Sequence, residues 1–165
     1  MSRPDPHYPL AERLGRLLLE RHALLATAES CTGGGLAKAV TEVPGSSGWF
    51  DRGFVTYSNR AKMEMLGVAA ATLERHGAVS EAVALEMAAG ALRHSAARLS
   101  VAITGIAGPG GGTPDKPVGT VWIAWAGEGD PVARRFRFGG DRSGVREQAV
   151  RAALEGLVAR AGGAP

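Results

Sequence analysis

The sequence predicts an α/β fold, a single-domain three-layer α/β/α sandwich with a mixed, mostly parallel β-sheet. Three observations support this prediction. Strand-like apolar runs alternate with helical patterns, the last two strand-like runs follow one another directly, and abundant Ala and Gly suit close packing of helices on a sheet. At 165 residues the chain has about the length of one domain, and it contains no internal repeat or linker.

The N-terminal part of the chain predicts a helix, a buried strand and a second helix. Residues 1–9 contain three prolines, so we expect them to form a flexible lead-in to a single domain at 10–161. Leucines at helical spacing predict a first helix over residues 10–22. An apolar strand follows over residues 23–28, and a helical pattern begins at Leu36.

The middle of the chain predicts a second strand and two more helices. Aromatic and β-branched residues surround Gly53, which predicts a strand with a bulge at this glycine. A helix begins at about Asn59, and residues 68–79 are expected to form a linking stretch. Ser80 is suited to be the N-cap of an Ala-rich helix that continues to about residue 97.

The last third predicts three strands, a helix and a tail. Residues 99–104 are nearly all apolar, as expected for a central strand, and residues 118–125 and 132–138 predict a hairpin because they are consecutive. The final helix begins near Asp141, and residues 162–165 form a short tail.

Charge and composition argue against several classes of protein. The formal net charge of +3 comes from scattered arginines, and the strand-like context of the densest cluster, residues 134–137, favours a solvated strand face over a nucleic-acid patch. No apolar run is long enough for a membrane span, and the N-terminus lacks the apolar region of a signal peptide. The single cysteine, Cys31, fits a reducing compartment. We therefore expect a soluble, cytoplasmic protein that binds neither membrane nor nucleic acid.

Aromatic residues suggest self-association. Trp49, Phe50 and Trp125 exceed what one small core requires, so some of them are available for an interface. On this basis we expect a homo-oligomer.

A strand–turn–helix junction at Ser30 is the strongest candidate for chemistry. A short hydroxyl side chain after a buried strand lies beside N–H groups that have no helical partner, and these can stabilise an oxyanion or a phosphate. Tyr57 and Lys62 follow the second strand and Thr104 ends the third, so parallel strands would bring all four to one edge of the sheet. The alternative is that Ser30 is only a helix N-cap.

The functional interpretation is a serine nucleophile with a lysine base. A serine hydroxyl needs a positioned base, and Lys62 can act as one only if its pKa falls from about 10.4 toward roughly 7 to 8. The alternative for Lys62 is a solvated lysine on a helix surface.

A second glycine-rich segment, residues 105–112, lacks the features of a dinucleotide fingerprint or a P-loop. It suits a backbone cradle for a phosphate or ribose, assisted by Arg142, or alternatively a flexible lid. Arg142 is alternatively only a charge in the first turn of the last helix. The four histidines lack ligand spacing, so we expect no metal site.

The chain resembles the CinA C-terminal domain family, whose stand-alone members are nicotinamide mononucleotide deamidases. The segments that carry the resemblance are TAESCTGG (27–34), FVTYSN (54–59) with Lys62, GAVS (77–80), TGIAGP (104–109), KPVGTV (116–121) and GDR (140–142). They extend from the first helix to the last. Many CinA proteins carry a larger N-terminal domain, for which this chain has no room.

The resemblance implies hydrolysis of nicotinamide mononucleotide, a small-molecule substrate, to nicotinic acid mononucleotide and ammonia, without a cofactor. It implies Ser30 as nucleophile and Lys62 as base, with Tyr57 to relay or orient. The substrate contacts would come from Thr104 and Arg142, from Gly105 and Gly108 in the second loop, and from the N–H groups of Cys31, Thr32, Gly33 and Gly34 around the oxyanion.

Three questions stay open at this point. Either Lys62 or Tyr57 could contact the Ser30 hydroxyl, and either glycine-rich loop could bind the phosphate. The competing functions are a nucleotide-binding domain without turnover and an interaction module linked to competence or DNA damage.

Overall fold

The computed structural model describes residues 3–162, and within that range five strands form one sheet. The strands are β1 (Leu25–Glu29), β2 (Phe50–Val55), β3 (Leu99–Gly105), β4 (Thr120–Ala126) and β5 (Val132–Arg137), in the order β2-β1-β3-β4-β5. β1 pairs in parallel with both β2 and β3, whereas β4 is antiparallel to β3 and to β5. β5 therefore runs in the same direction as the first three strands, and the predicted mixed sheet with its terminal hairpin is confirmed.

Helices cover both faces of the sheet. They are α1 (Tyr8–Glu20), α2 (Gly35–Thr41), α3 (Asn59–Leu66), α4 (Ala70–His76), α5 (Glu81–Arg93) and α6 (Arg142–Arg160). Helices α1, α2 and α6 share one apolar cluster with the sheet, and α3, α4 and α5 share the other. The predicted three-layer α/β/α arrangement is confirmed.

The two faces of the central strands carry side chains of different size. On β3, Val101 and Ile103 belong to the cluster with α1, α2 and α6, whereas Ala102 belongs to the cluster with α5. Ser100 is also buried, and its Oγ donates to the carbonyl of Ala88 in α5 at 2.8 Å. Small residues on this face let α5 pack close to the sheet, as the abundance of Ala predicts.

Two helix starts follow from local capping. The Oγ of Ser80 accepts a hydrogen bond from the N–H of Val83 at 3.3 Å, so the predicted N-cap is confirmed. Asp141 caps α6 in the same way, accepting from the N–H of Gly144 at 2.8 Å. The predicted end of α5 near residue 97 was wrong, because the helix ends at Arg93.

The N-terminal segment is more ordered than its prolines predicted. Helix α1 begins at Tyr8, since Pro9 fits the first turn, where its missing N–H costs nothing. Ahead of the helix, the side chain of Asp5 accepts from the N–H of His7 at 2.8 Å, and His7 is buried. Residues 8 and 9 of the predicted lead-in therefore belong to α1, the flexibility of the remainder stays a prediction, and residues 1–2 lie outside the described range.

Two predictions for the middle region were also wrong. Residues 68–79 contain helix α4, which the sequence did not reveal because it is short and buries only Leu73. The irregularity in β2 lies at Asp51, where the register with β1 shifts, and Gly53 pairs regularly with Thr27. Of the predicted tail at 162–165, all but Gly162 lies outside the described residues.

The aromatic residues that suggested an interface lie in the core. Trp49 is 1% exposed and Trp125 is 4% exposed, and Phe50 packs against the same cluster. The indole N–H of Trp125 donates to the carbonyl of Ala153 in α6 at 3.1 Å. These aromatics therefore do not support a homo-oligomer, which stays a prediction without this basis.

A glycine sets the distance between α5 and α3. A Cβ at Gly90 would overlap the carbonyl group of Leu66, so we expect Gly90→Ala to lower the free energy of unfolding by about 1 to 3 kcal/mol, although Ala is the better helix former. The matched control is Gly35→Ala, whose Cβ would have its nearest neighbour, Val150 Cγ2, at 3.5 Å. Urea unfolding measures both, and a Gly90→Ala protein as stable as the wild type would contradict the expectation.

No helix in the described part of the chain combines the length and apolar character needed to cross a membrane.

Candidate active site

A cavity of about 280 Å³ opens at the carboxyl ends of β1 and β3, beside the segment that follows β2. Open α/β sheets bind ligands at this edge. Most of the predicted site residues line the cavity, namely Ser30, Cys31, Tyr57, Lys62, Thr104, Gly105, Gly108 and Arg142. The topology therefore brings together side chains that are far apart in the sequence.

Ser30 and Lys62 form a buried pair. The Nζ of Lys62 lies 2.9 Å from the Oγ of Ser30, and the two residues are 1% and 8% exposed, respectively. The alternatives of a solvated lysine and of a capping serine are both wrong, since the N-cap of α2 is Gly34. Helix α3 supplies Lys62, and Ser58 caps that helix by accepting from the N–H of Ala61 at 3.0 Å.

Three oxygen atoms surround the amine of Lys62, and a neutral amine can use all of them. Its Nζ also lies 3.0 Å from the carbonyl oxygen of Thr56 and 3.3 Å from that of Tyr57. A neutral amine has two N–H bonds and one lone pair, so it can donate to both carbonyls and accept the hydroxyl proton of Ser30. Burial lowers the pKa of Lys62 from its ordinary value of 10.5, and among the described residues no carboxylate forms an ion pair with it.

Cys31 lines the cavity beside the pair but is not itself an activated nucleophile. Burial raises the pKa of its thiol to about 11, and the backbone N–H of Cys31 and the nearby charge of Arg146 offset this only in part. The thiol is therefore protonated at neutral pH, and the charge of its thiolate, which raises the pKa of Lys62, arises only at higher pH.

Glu29, which the sequence analysis did not select, holds the junction after β1. It is 1% exposed, and its carboxylate accepts from the hydroxyl of Thr32 at 2.6 Å and from the N–H groups of Leu36 and Ala37 at 2.8 and 3.1 Å. The first turn of α2 thus compensates its charge. An acidic residue at the end of an otherwise apolar strand was the available signal.

Three predicted oxyanion residues do not line the cavity. Thr32, Gly33 and Gly34 lie behind Ser30 in the turn that leads to α2, and the N–H of Gly33 donates to the carbonyl of Ser30 at 3.0 Å. The N–H of Gly33 is therefore not available to substrate, and the prediction for it was wrong. The hydroxyl of Thr32 is occupied by Glu29.

Tyr57 acts at the pair through its main chain. Its carbonyl oxygen lies 3.5 Å from Ser30 Oγ, whereas its exposed phenol oxygen accepts from Nη2 of Arg142 at 3.0 Å. The phenol therefore lies with Arg142, and Lys62 is the side chain that contacts the Ser30 hydroxyl. A main-chain contact of this kind leaves no signal in the sequence.

Arg142 joins the second glycine-rich loop to Tyr57. Its Nη1 donates to the carbonyl of Gly108 at 2.8 Å, so it lies over the cavity and is more than a charge in the first turn of α6. Thr104 is buried and donates to the carbonyl of Ala78 at 2.9 Å. Among the residues described, the lining includes the cation Arg142, the amide of Asn59 and no carboxylate, which favours an anionic ligand group near Arg142.

Metal ligands are not grouped anywhere in residues 3–162, where no cluster of three or more His, Cys, Asp or Glu side chains could hold an ion.

Fold and site together define an α/β protein with a buried serine–lysine pair at the carboxyl edge of parallel strands, an arrangement suited to nucleophilic acyl transfer. The chain belongs to the CinA C-terminal domain family, whose model matches residues 7–161. The resemblance found in the sequence is thereby confirmed.

Relatives and solved structures agree with this assignment. The chain is 56% identical to nicotinamide-nucleotide amidohydrolase PncC of Escherichia coli K12 over 149 residues, an alignment that covers 90% of each protein. It is 55% identical to a CinA-like protein of Chlorobaculum tepidum, covering 92% of this chain and 37% of that protein. The crystal structure of competence/damage inducible protein CihA from Agrobacterium tumefaciens matches with a TM-score of 0.93 and 48% identity over 97% of this chain and 99% of that one.

Proposed function

We propose that this chain is a nicotinamide-nucleotide amidohydrolase that converts nicotinamide mononucleotide and water to nicotinic acid mononucleotide and ammonia. The observation that carries the proposal is the 2.9 Å contact between Lys62 Nζ and Ser30 Oγ inside a cavity to which residues 3–162 contribute no carboxylate. The name of the Escherichia coli relative supports the choice of substrate.

The reaction proceeds in two halves through Ser30. Neutral Lys62 takes the hydroxyl proton while Oγ attacks the carboxamide carbon, and the resulting ammonium returns a proton to the departing nitrogen, which leaves as ammonia. The product of this half is a nicotinoyl ester on Ser30. Lys62 then takes one proton from the attacking water and returns it to Oγ, which breaks the ester bond and restores the pair. The carboxylic acid that is released loses the second water proton to solvent and becomes the carboxylate.

The charges of the substrate match those of the cavity. Its pyridinium ring is cationic, so its arrival next to Lys62 further disfavours the ammonium form of that lysine. Its phosphate is anionic and suits Arg142, whose guanidinium extends from the start of α6 over the glycine-rich loop. Free nicotinamide lacks both charges, so we expect a much lower kcat/KM for it.

The direct test is ammonia release by purified wild-type protein from nicotinamide mononucleotide and from free nicotinamide, with the product identified by mass. We expect turnover of the mononucleotide and little of the free amide. A folded protein that binds the mononucleotide without releasing ammonia would contradict the proposal, and equal efficiency on both substrates would contradict the roles of phosphate and ring charge.

Arg142 is expected to act on substrate binding. Arg142→Met removes a charged donor to the phosphate, so KM for the mononucleotide should rise about 10- to 100-fold while kcat changes by no more than a few-fold. The control is Arg16→Met, which removes an exposed arginine paired with Glu12 on α1. Steady-state kinetics measure both, and an unchanged KM in Arg142→Met would place the phosphate elsewhere.

The names of the structural relatives motivate the second function, a non-catalytic module linked to competence or DNA damage. This alternative predicts mononucleotide binding without turnover, or an affinity for DNA that falls steeply with salt.

Our proposal assigns residues 10–161 to one amidohydrolase domain with a small-molecule substrate. A cytoplasmic location and a homo-oligomer stay predictions.

A further inference from the structure

Arg146, in the second turn of α6, contacts the segment that directly follows Ser30. Its Nε donates to the carbonyl of Cys31 at 3.1 Å, and its Nη2 donates to the carbonyl of Thr32 at 3.4 Å. One guanidinium thus binds two consecutive carbonyl groups, although its helix lies more than a hundred residues further along the chain. The mechanism above gives this arginine no role.

These contacts fix the direction of an N–H group. In a trans peptide the C=O and N–H groups point in opposite directions, so the carbonyl of Cys31 directed at Arg146 turns the N–H of Thr32 away from it. The carbonyl of Ser30 is held in turn by the N–H of Gly33 at 3.0 Å, which fixes the direction of the Cys31 N–H. Two hydrogen bonds therefore orient two successive N–H groups.

Both of these N–H groups are without a main-chain partner. Within residues 3–162, the N–H groups of Cys31, Thr32 and Gly34 donate to no carbonyl, whereas those of Ser30, Gly33 and Gly35 do, and of the first three residues only Cys31 lines the cavity. N–H groups directly after a nucleophile are placed to stabilise the oxyanion that forms when its oxygen attacks a carbonyl carbon. Their orientation is therefore of direct consequence for the attack by Ser30.

We propose that Arg146 is a positioning residue for acyl transfer, which holds the carbonyls of Cys31 and Thr32 and thereby fixes the turn from which the N–H of Cys31, at the cavity, stabilises the oxyanion. The inference rests on the proposed amidohydrolase function. A lysine would keep the charge but lose the two-pronged geometry.

The first test compares Arg146→Met and Arg146→Lys with the wild type in ammonia release from nicotinamide mononucleotide. Losing an oriented oxyanion donor should lower kcat about 10- to 100-fold in Arg146→Met and leave KM within about 3-fold, with partial recovery in Arg146→Lys. The matched control is Arg151→Met on the same helix, where the arginine pairs with Glu155 at 2.8 Å and kcat should not change. Circular dichroism checks the fold of each protein.

A second readout does not depend on the mononucleotide. Acylation by p-nitrophenyl acetate also forms an oxyanion, so its Ser30-dependent rate, measured against Ser30→Ala, should fall by a similar factor in Arg146→Met. If p-nitrophenyl acetate acylates the wild type faster than Arg146→Met, but the wild type releases no ammonia from the mononucleotide, this inference would stand and the proposed function would be refuted. If Arg146→Met does not fold, the comparison uses Arg146→Lys alone, for which a lower rate of acylation is expected.

Two results would overturn the inference. One is a folded Arg146→Met protein whose kcat and acylation rate stay within 2-fold of the wild type. The other is a loss that appears only in KM, since this would make Arg146 a contact for the substrate and not a positioning residue for the reaction.

Discussion

Ser30→Ala is expected to lower kcat for ammonia release by a factor of about 10³ or more while the protein stays folded. The variant removes the oxygen that forms the ester, and no other activated nucleophile lines the cavity in the described part of the chain, because burial keeps Cys31 as a protonated thiol. Residual activity would then come from water attacking a substrate that is still bound and polarised.

The control for this loss is another buried serine. Ser100→Ala removes a hydroxyl that donates to the carbonyl of Ala88 at 2.8 Å, remote from the cavity, so it should cost about 1 kcal/mol of stability and leave kcat unchanged. Intact-protein mass spectrometry after rapid acid quenching should detect a nicotinoyl ester on the wild type and none on Ser30→Ala. More than a few per cent of wild-type kcat in folded Ser30→Ala would assign the attack to water or another residue.

The sequence predicted the layers of the fold because those features are local or repetitive. The apolar run that forms β3, the capping serine at 80 and the leucine spacing of α1 are each visible within a few residues. Helix α4 escaped detection since it buries one leucine and has no capping side chain. The bulge at Asp51 was missed because it depends on the pairing with β1, which local propensity does not describe.

The candidate site, like the fold, could be predicted from the sequence only in part. Ser30, Lys62 and Arg142 could be selected from residue type and position at the sheet edge, and the structure places all three at one cavity. What could not be predicted were the contacts made by main-chain atoms. The carbonyl of Tyr57, not its phenol, reaches the pair, and Arg146 meets the turn after Ser30 only through tertiary packing of α6.

Lys62→Met is expected to lower kcat about 10²- to 10⁴-fold, because it removes the base while keeping a long side chain in the same space. The matched control is Lys38→Met on α2, whose lysine is exposed and paired with Glu42 at 3.0 Å. In the wild type, kcat/KM should rise with pH as Lys62 loses its proton, at a pH below the usual lysine range since burial lowers its pKa. Cys31, with a pKa of about 11, does not titrate between about pH 6 and 9.

The same proton also links activity to stability. Between the lowered native pKa of Lys62 and its unfolded value near 10.4, the native protein binds fewer protons than the unfolded chain, so the free energy of unfolding rises with pH. Below the native pKa the cost of burying the charge is fully present. Lys62→Met lacks this slope, so the stability of the wild type relative to the variant should increase across the window, by at most about 1.4 kcal/mol per pH unit.

Urea unfolding of both proteins at several pH values measures that difference, and the pH profile of kcat/KM measures the active form independently. If the stability difference begins to rise at the pH where kcat/KM has its midpoint, a single buried lysine explains both, and the burial of its charge is what keeps it a base at neutral pH. Parallel stability curves for wild type and Lys62→Met would show instead that Lys62 keeps an ordinary pKa in the native state. The proton from Ser30 would then need another acceptor, and among the residues described at this cavity no other side chain contacts the serine hydroxyl.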